Sequence, residues 1–102
     1  MASQIKAFQV VIIGTGNVAT VLGQRLFNAG VSILQVVGKS TSSAKRLADQ
    51  LQCAYSVNWH DVQPGAALYL LAIPDRAIHQ LSELDVLNNA LVAHTAGSIS
   101  IN

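Results

Sequence analysis

Val10–Gly30, VVIIGTGNVATVLGQRLFNAG, changes its periodicity twice. Four consecutive β-branched residues, Val10 to Ile13, form a short apolar run that suits a strand buried on both faces. Gly14 and Gly16 break it. From Val18 the apolar positions (Val18, Val21, Leu22, Leu26, Ala29) fall at helical spacing, and Gly30 supplies a stop. Strand, glycine turn and helix in immediate succession predict the first half of a dinucleotide-binding βαβ unit.

Each small residue has a physical task in that reading. Gly14 lets the chain turn sharply out of the strand. Gly16, without a Cβ, lets a diphosphate approach the backbone closely. Ala19 stands at the third position of G-x-G-x-x-G/A and keeps the helix tight against the strand. Gly23, one turn on, extends that contact. The amides from Thr15 through Asn17 to Val18 then point at the phosphates, where the helix dipole favours negative charge. A glycine turn by itself also occurs in α/β proteins that bind nothing; the strand before it and the helix after it favour a cofactor.

Composition narrows the class. The 102 residues suit a single domain or part of one, and 51% hydrophobic against 11% charged residues fits a densely buried parallel sheet. A net charge of +1, with no basic stripe bearing interleaved aromatics, argues against a nucleic-acid partner. Cys53 is the only cysteine, which leaves no disulfide framework or zinc cluster to expect, and a lone cysteine in a strand is a small buried hydrophobe. Met1–Phe8 does not read as a signal peptide, and no run reaches the length of a membrane span. The expectation is a cytoplasmic protein without a membrane partner or a metal site.

Beyond Gly30 the pattern continues. The first helix is expected over 17–29, and Val31–Gly38 (VSILQVVG) reads as a second parallel strand. Its end bears on cofactor choice. An NAD site places Asp or Glu about twenty residues past the glycine motif, on the ribose 2′-hydroxyl. Here the stretch is Val36-Val37-Gly38-Lys39-Ser40, without an acid. Lys39 with the hydroxyls of Ser40, Thr41, Ser42 and Ser43 suits a 2′-phosphate, and Lys45 and Arg46 add charge one turn into the next helix. The sequence therefore favours NADP over NAD. Ser42 or Thr41 can also simply cap a helix over Ser43–Leu51.

A third strand is expected over Cys53–Val57, a helical turn over Trp59–Val62, and a turn at Pro64-Gly65. Ala66–Ile73 (AALYLLAI) is a strong strand, ended by Pro74, with Asp75 placed to cap a helix over Arg76–Leu84. Ligands of open α/β sheets lie outside the carboxyl ends of strands where their order reverses, so Ala72, Ile73, Pro74, Asp75 and Ile78 fall beside a cofactor's ribose and nicotinamide. Leu91–His94 is a short fifth strand. His94, at its carboxyl end, is a candidate proton donor or a histidine held by a backbone partner.

With these pieces placed, the chain resembles the N-terminal Rossmann domain of the NADP-binding oxidoreductases that include pyrroline-5-carboxylate reductase and the 6-phosphogluconate and β-hydroxyacid dehydrogenases, in a less characterised Rossmann-like branch. The motifs are IIGTGNVA (Ile12–Ala19), GKSTSSA (Gly38–Ala44), LAIPDRAI (Leu71–Ile78) and VAHTAGS (Val92–Ser98). The resemblance implies an α/β fold with a doubly wound, mostly parallel sheet of order 3-2-1-4-5. It implies NADP on Gly14–Ala19, with Lys39 and Ser40 at the 2′-phosphate and Ile73-Pro74 beside the nicotinamide. It further implies a helical C-terminal domain beyond residue 102 that forms a homodimer and completes the pocket for a small-molecule substrate, and in some relatives a deazaflavin as hydride partner.

Three functions follow as alternatives. The first is hydride transfer between NADP(H) and a small carbonyl or imine. The second is a non-catalytic module that binds or senses NAD(P). The third, methyl transfer from S-adenosylmethionine, wants an acid at the end of the second strand, and Gly38-Lys39-Ser40 counts against it.

Overall fold

The computed structural model describes residues 8–73 and 91–94. In chain order these form β1 (Gln9–Ile13), α1 (Asn17–Asn28), β2 (Ser32–Val37), α2 (Thr41–Leu51), β3 (Ala54–Ser56), a 3-10 turn (Trp59–Asp61), β4 (Leu68–Leu71) and β5 (Val92–His94). The strands make one sheet of order β3-β2-β1-β4-β5, and every pairing is parallel. This is the doubly wound order expected. It reverses at β1, whose four β-branched residues Val10 to Ile13 have no solvent exposure.

The core lies on both sides of the sheet, as alternation along each strand dictates. On one face Val10, Ile12 and Val36 pack with Ala19 of α1 and Leu47 and Leu51 of α2. Gly23 is part of that contact: a Cβ there would lie 2.9 Å from Leu51 Cδ1 and 3.1 Å from Ile12 Cδ1. On the other face Val11, Ile13, Val37, Tyr69, Leu71 and Ile73 pack with Val62, flanked by Trp59 and Ala66. Here the chain between β3 and β4 lies against the sheet, so its backbone polar groups need partners.

Two buried polar side chains supply them. Gln35 is 3% exposed; its Nε2 donates to the Asp61 carbonyl at 2.9 Å, and its Oε1 accepts from the Gln63 amide at 3.0 Å. Tyr69, fully buried, donates its hydroxyl to the Gln63 carbonyl and accepts from the Ala66 amide. Gln35 reaches that loop because the β1–β2 register slips by one residue: Val10 pairs with Ile33, but Val11 pairs with Gln35. The surplus residue, Leu34, packs on the same face that Gln35 addresses. Two consecutive side chains on one side are the mark of a β-bulge.

Element ends differ modestly from the sequence expectation. Gly30, at φ +90°, follows the α1 cap Ala29 as foreseen. However, α2 begins at Thr41, two residues early, and its cap is Ser40 rather than Ser42 or Thr41. The third and fourth strands are shorter than expected, so Cys53 lies before β3 rather than in it. Its thiol is partly buried, and the loss of solvation pushes its pKa up to about 11. Folding thus favours the neutral thiol. Its contribution to stability is intact below about pH 9 and is lost as pH rises towards 11. Because the thiolate is the nucleophile, alkylation of Cys53 by iodoacetamide is expected to be slow at pH 8 and to accelerate up to about pH 11. A rate already at its plateau by pH 9 would contradict that environment.

Among the described residues no helix is long and apolar enough to cross a membrane.

Candidate cofactor site

The carboxyl end of β1 meets three elements at once. The Gly14 amide donates to the Val37 carbonyl at 2.7 Å, and the Ala72 amide donates to the Ile13 carbonyl at 2.8 Å. The turn is therefore clamped between the ends of β2 and β4. Gly14 adopts φ +122°, and a Cβ on it would lie 2.3 Å from the Ala72 carbonyl oxygen. Only glycine satisfies both conditions.

Gly16 is different. Its φ is −80°, and a Cβ there would meet nothing within 4 Å. Neither its backbone nor its neighbours require glycine, and the space above it is open. Gly16 is also the N-cap of α1; it offers no side-chain cap, and the first turn carries no acid. The first amide in the helical ladder is that of Thr20, which donates to the Gly16 carbonyl at 3.0 Å, while Thr20 Oγ1 donates to the same oxygen at 2.9 Å. The amides of Asn17, Val18 and Ala19 have no partner among the described residues. Uncapped amides beneath an open glycine carry partial positive charge without a steric lid, so these residues fit a diphosphate.

The second corner follows β2. Gly38 is buried, and its amide extends the ladder by donating to the Ser56 carbonyl at 3.0 Å. Lys39 is exposed. Ser40 Oγ accepts from the Ser43 amide at 3.5 Å and shares a hydrogen bond with Ser42 Oγ at 3.1 Å. The two nearby cations differ in availability. Lys45 donates to Asp49 at 3.1 Å, and that hydrogen bond raises its pKa, so its charge is engaged along its own helix. Arg46 instead lines a groove of about 230 Å³ between α1 and α2, with Thr15, Asn17, Thr20, Ser43 and Gln50. Among the described residues neither Lys39 nor Arg46 forms an ion pair. The described carboxylates are engaged elsewhere: Asp49 with Lys45, and Asp61, through Oδ2, with Ser56 Oγ.

The structure brings Gly14, Thr15, Gly16, Asn17, Val18 and Ala19 together over β1 and sets Gly38, Lys39 and Ser40 beside them. Ala72 and Ile73 border Gly14 on the β4 side. Pro74, Asp75 and Ile78 lie outside the described residues. His94 ends β5 in register with Leu71, at the same end of the sheet. Among the described residues no group of three or more His, Cys, Asp or Glu could hold a metal. Thr20 and Gln50 were not singled out by the sequence; their grouping with Ser43 and Arg46 depends on how α1 packs on α2. Thr20, one helical turn past Gly16, carried the only local signal.

Comparison with known proteins agrees with this fold. The chain is similar to a Bacteroides fragilis protein assigned as an NADP oxidoreductase, at 33% identity and a TM-score of 0.80, over 90% of this chain and 37% of that one. An imine reductase from Myxococcus stipitatus, solved with NAD+, shares the fold at 18% identity and a TM-score of 0.71, over 88% of this chain and 32% of that one. A Synechocystis biliverdin reductase, solved with biliverdin and NADP+, does so at 18% identity and a TM-score of 0.66, over 85% and 28%. The chain thus spans about a third of the length of these structures. No curated protein sequence matches it. The profile of the Rossmann-like domain family matches residues 2–102, and the chain belongs to that family.

Proposed function

We propose that this chain is the NADP-binding domain of an oxidoreductase that transfers a hydride between NADP(H) and a small carbonyl or imine. The observation that carries the reading is the uncapped, acid-free start of α1 beneath the open space over Gly16. The bound nicotinamide supplies the hydride chemistry. The chain's own residues bind and orient: the Asn17–Ala19 amides hold the diphosphate, Lys39 and Ser40 take the 2′-phosphate, and Ala72 and Ile73 border the nicotinamide side. Pro74, Asp75 and Ile78 complete that side in the same proposal, and His94 is its candidate proton donor. The homodimer and the cytoplasmic location belong to it as well.

The preference for NADP rests on charge. An exposed lysine and an unpaired arginine flank the corner, and no described carboxylate faces it. Titration with NADPH, NADH and S-adenosylmethionine is expected to give tightest binding for NADPH. Lys39→Asp removes one charge-assisted hydrogen bond and adds a repulsion, so it should weaken NADPH by about tenfold or more and leave NADH nearly unchanged. Equal affinity for both nicotinamides, unmoved by the substitution, would remove Lys39 from the phosphate site. Tightest binding of S-adenosylmethionine would replace the reading altogether.

A further inference from the structure

Gly38 has no conformational reason to be glycine. Its φ lies outside the left-handed region, and its amide is in regular sheet pairing with Ser56. The reason is a neighbour: a Cβ on Gly38 would lie 2.5 Å from Thr15 Cγ2, 3.1 Å from Thr15 Oγ1 and 3.4 Å from Thr15 Cβ. Rotating Thr15 about χ1 can bring its Cβ hydrogen to the place now held by Cγ2, but a branch then remains where Oγ1 lies, 3.1 Å away, so rotation does not fully open the gap. Removing both branches does, because the remaining Cβ at 3.4 Å is an ordinary contact.

The direction of that missing side chain matters. Val37 packs on the face of the β3–β4 loop, and Val36 packs on the face of α1 and α2. By alternation a side chain at position 38 would project on the helix face, beside the glycine turn. That is the end of the second strand, where an acid in NAD-binding folds accepts from the ribose 2′-hydroxyl and repels a 2′-phosphate.

We propose that Thr15 and Gly38 form a steric specificity pair that keeps a carboxylate out of the ribose corner and so reserves it for a 2′-phosphorylated nucleotide. This rests on the nicotinamide-nucleotide reading above. Thr15 is a positioning residue here: its bulk dictates glycine at position 38, and the glycine leaves room and a favourable field for the phosphate. A change from NADP to NAD therefore requires two substitutions, not one.

A double-mutant cycle tests the pair, with thermal melting and nucleotide titration as separate readouts. Gly38→Ala alone is expected to lower the Tm by about 5 °C or more, and Thr15→Ala in the same protein should restore most of that loss. Gly38→Asp alone should weaken both NADPH and NADH by about tenfold or more. Thr15→Ala/Gly38→Asp should recover NADH binding and prefer it over NADPH by about tenfold. A melting cycle that is additive, or a Gly38→Asp single variant that inverts the preference unaided, overturns the proposal while the nucleotide reading stands. A wild-type protein that binds neither NADPH nor NADH overturns the parent reading and the selectivity role with it.

Discussion

Gly14→Ala is expected to destabilise the protein by about 3–5 kcal/mol, a large part of the ~5–15 kcal/mol that holds a typical domain folded. Two independent penalties meet at this position. An L side chain at φ +122° costs about 1–3 kcal/mol. A Cβ placed 2.3 Å from the Ala72 carbonyl oxygen also forces backbone, not a flexible side-chain tip, to move. That carbonyl follows the hydrogen bond between Ala72 and Ile13, so the shift would propagate into the β1–β4 pairing. Urea unfolding with a far-UV signal measures the loss. Gly16→Ala is the internal control. Its Cβ enters open space, and the cost to stability is about 1 kcal/mol or less. Nucleotide affinity should nevertheless fall, because the added methyl occupies the approach to the amides. A Gly14→Ala protein that melts like wild type would mean the turn is not clamped as described.

The second large effect lies far from the glycines. Gln35→Leu preserves shape in the core but strands the Asp61 carbonyl and the Gln63 amide that the glutamine satisfies. An unsatisfied buried group costs about 1–3 kcal/mol, so a loss of about 2–4 kcal/mol is expected for the two together. Hydrogen exchange adds a local signature: the Gln63 amide should exchange faster in the variant. A loss below about 1 kcal/mol would mean that Tyr69, through its own bonds to Gln63 and Ala66, holds the loop without help.

These two residues mark what the sequence makes legible. The unit Val10–Gly30 was readable because its signals are local: a β-branched run, two glycines, then apolar spacing with a stop. The strand order followed from motif order and the resemblance together. Gln35 was not readable, since one polar residue between Leu34 and Val36 looks like ordinary alternation and its partners lie far along the chain. The start of α2 was ambiguous for a different reason. Ser40, Thr41, Ser42 and Ser43 are four successive hydroxyl residues, each able to cap a helix. Ser40 takes the role because its carbonyl also accepts the Ala44 amide, which begins the ladder there. In the candidate site, the glycine turn and the acid-free corner were visible in the sequence. The Thr15–Gly38 contact was not, because it depends on the register between two strands.

That register carries a consequence for comparing this chain with its relatives. The surplus residue at Leu34 inverts the parity of all that follows in β2, so that Val37 meets Ile13 and position 38 turns towards α1 and α2. Had the ladder run uninterrupted from the Val10–Ile33 pair, Val36 would meet Ile13 and Val37 would take that place, so a valine would stand where the glycine does. An ungapped alignment of β2 onto a protein whose second strand pairs regularly would therefore match the wrong residue to the ribose, and would misjudge which nucleotide either protein prefers.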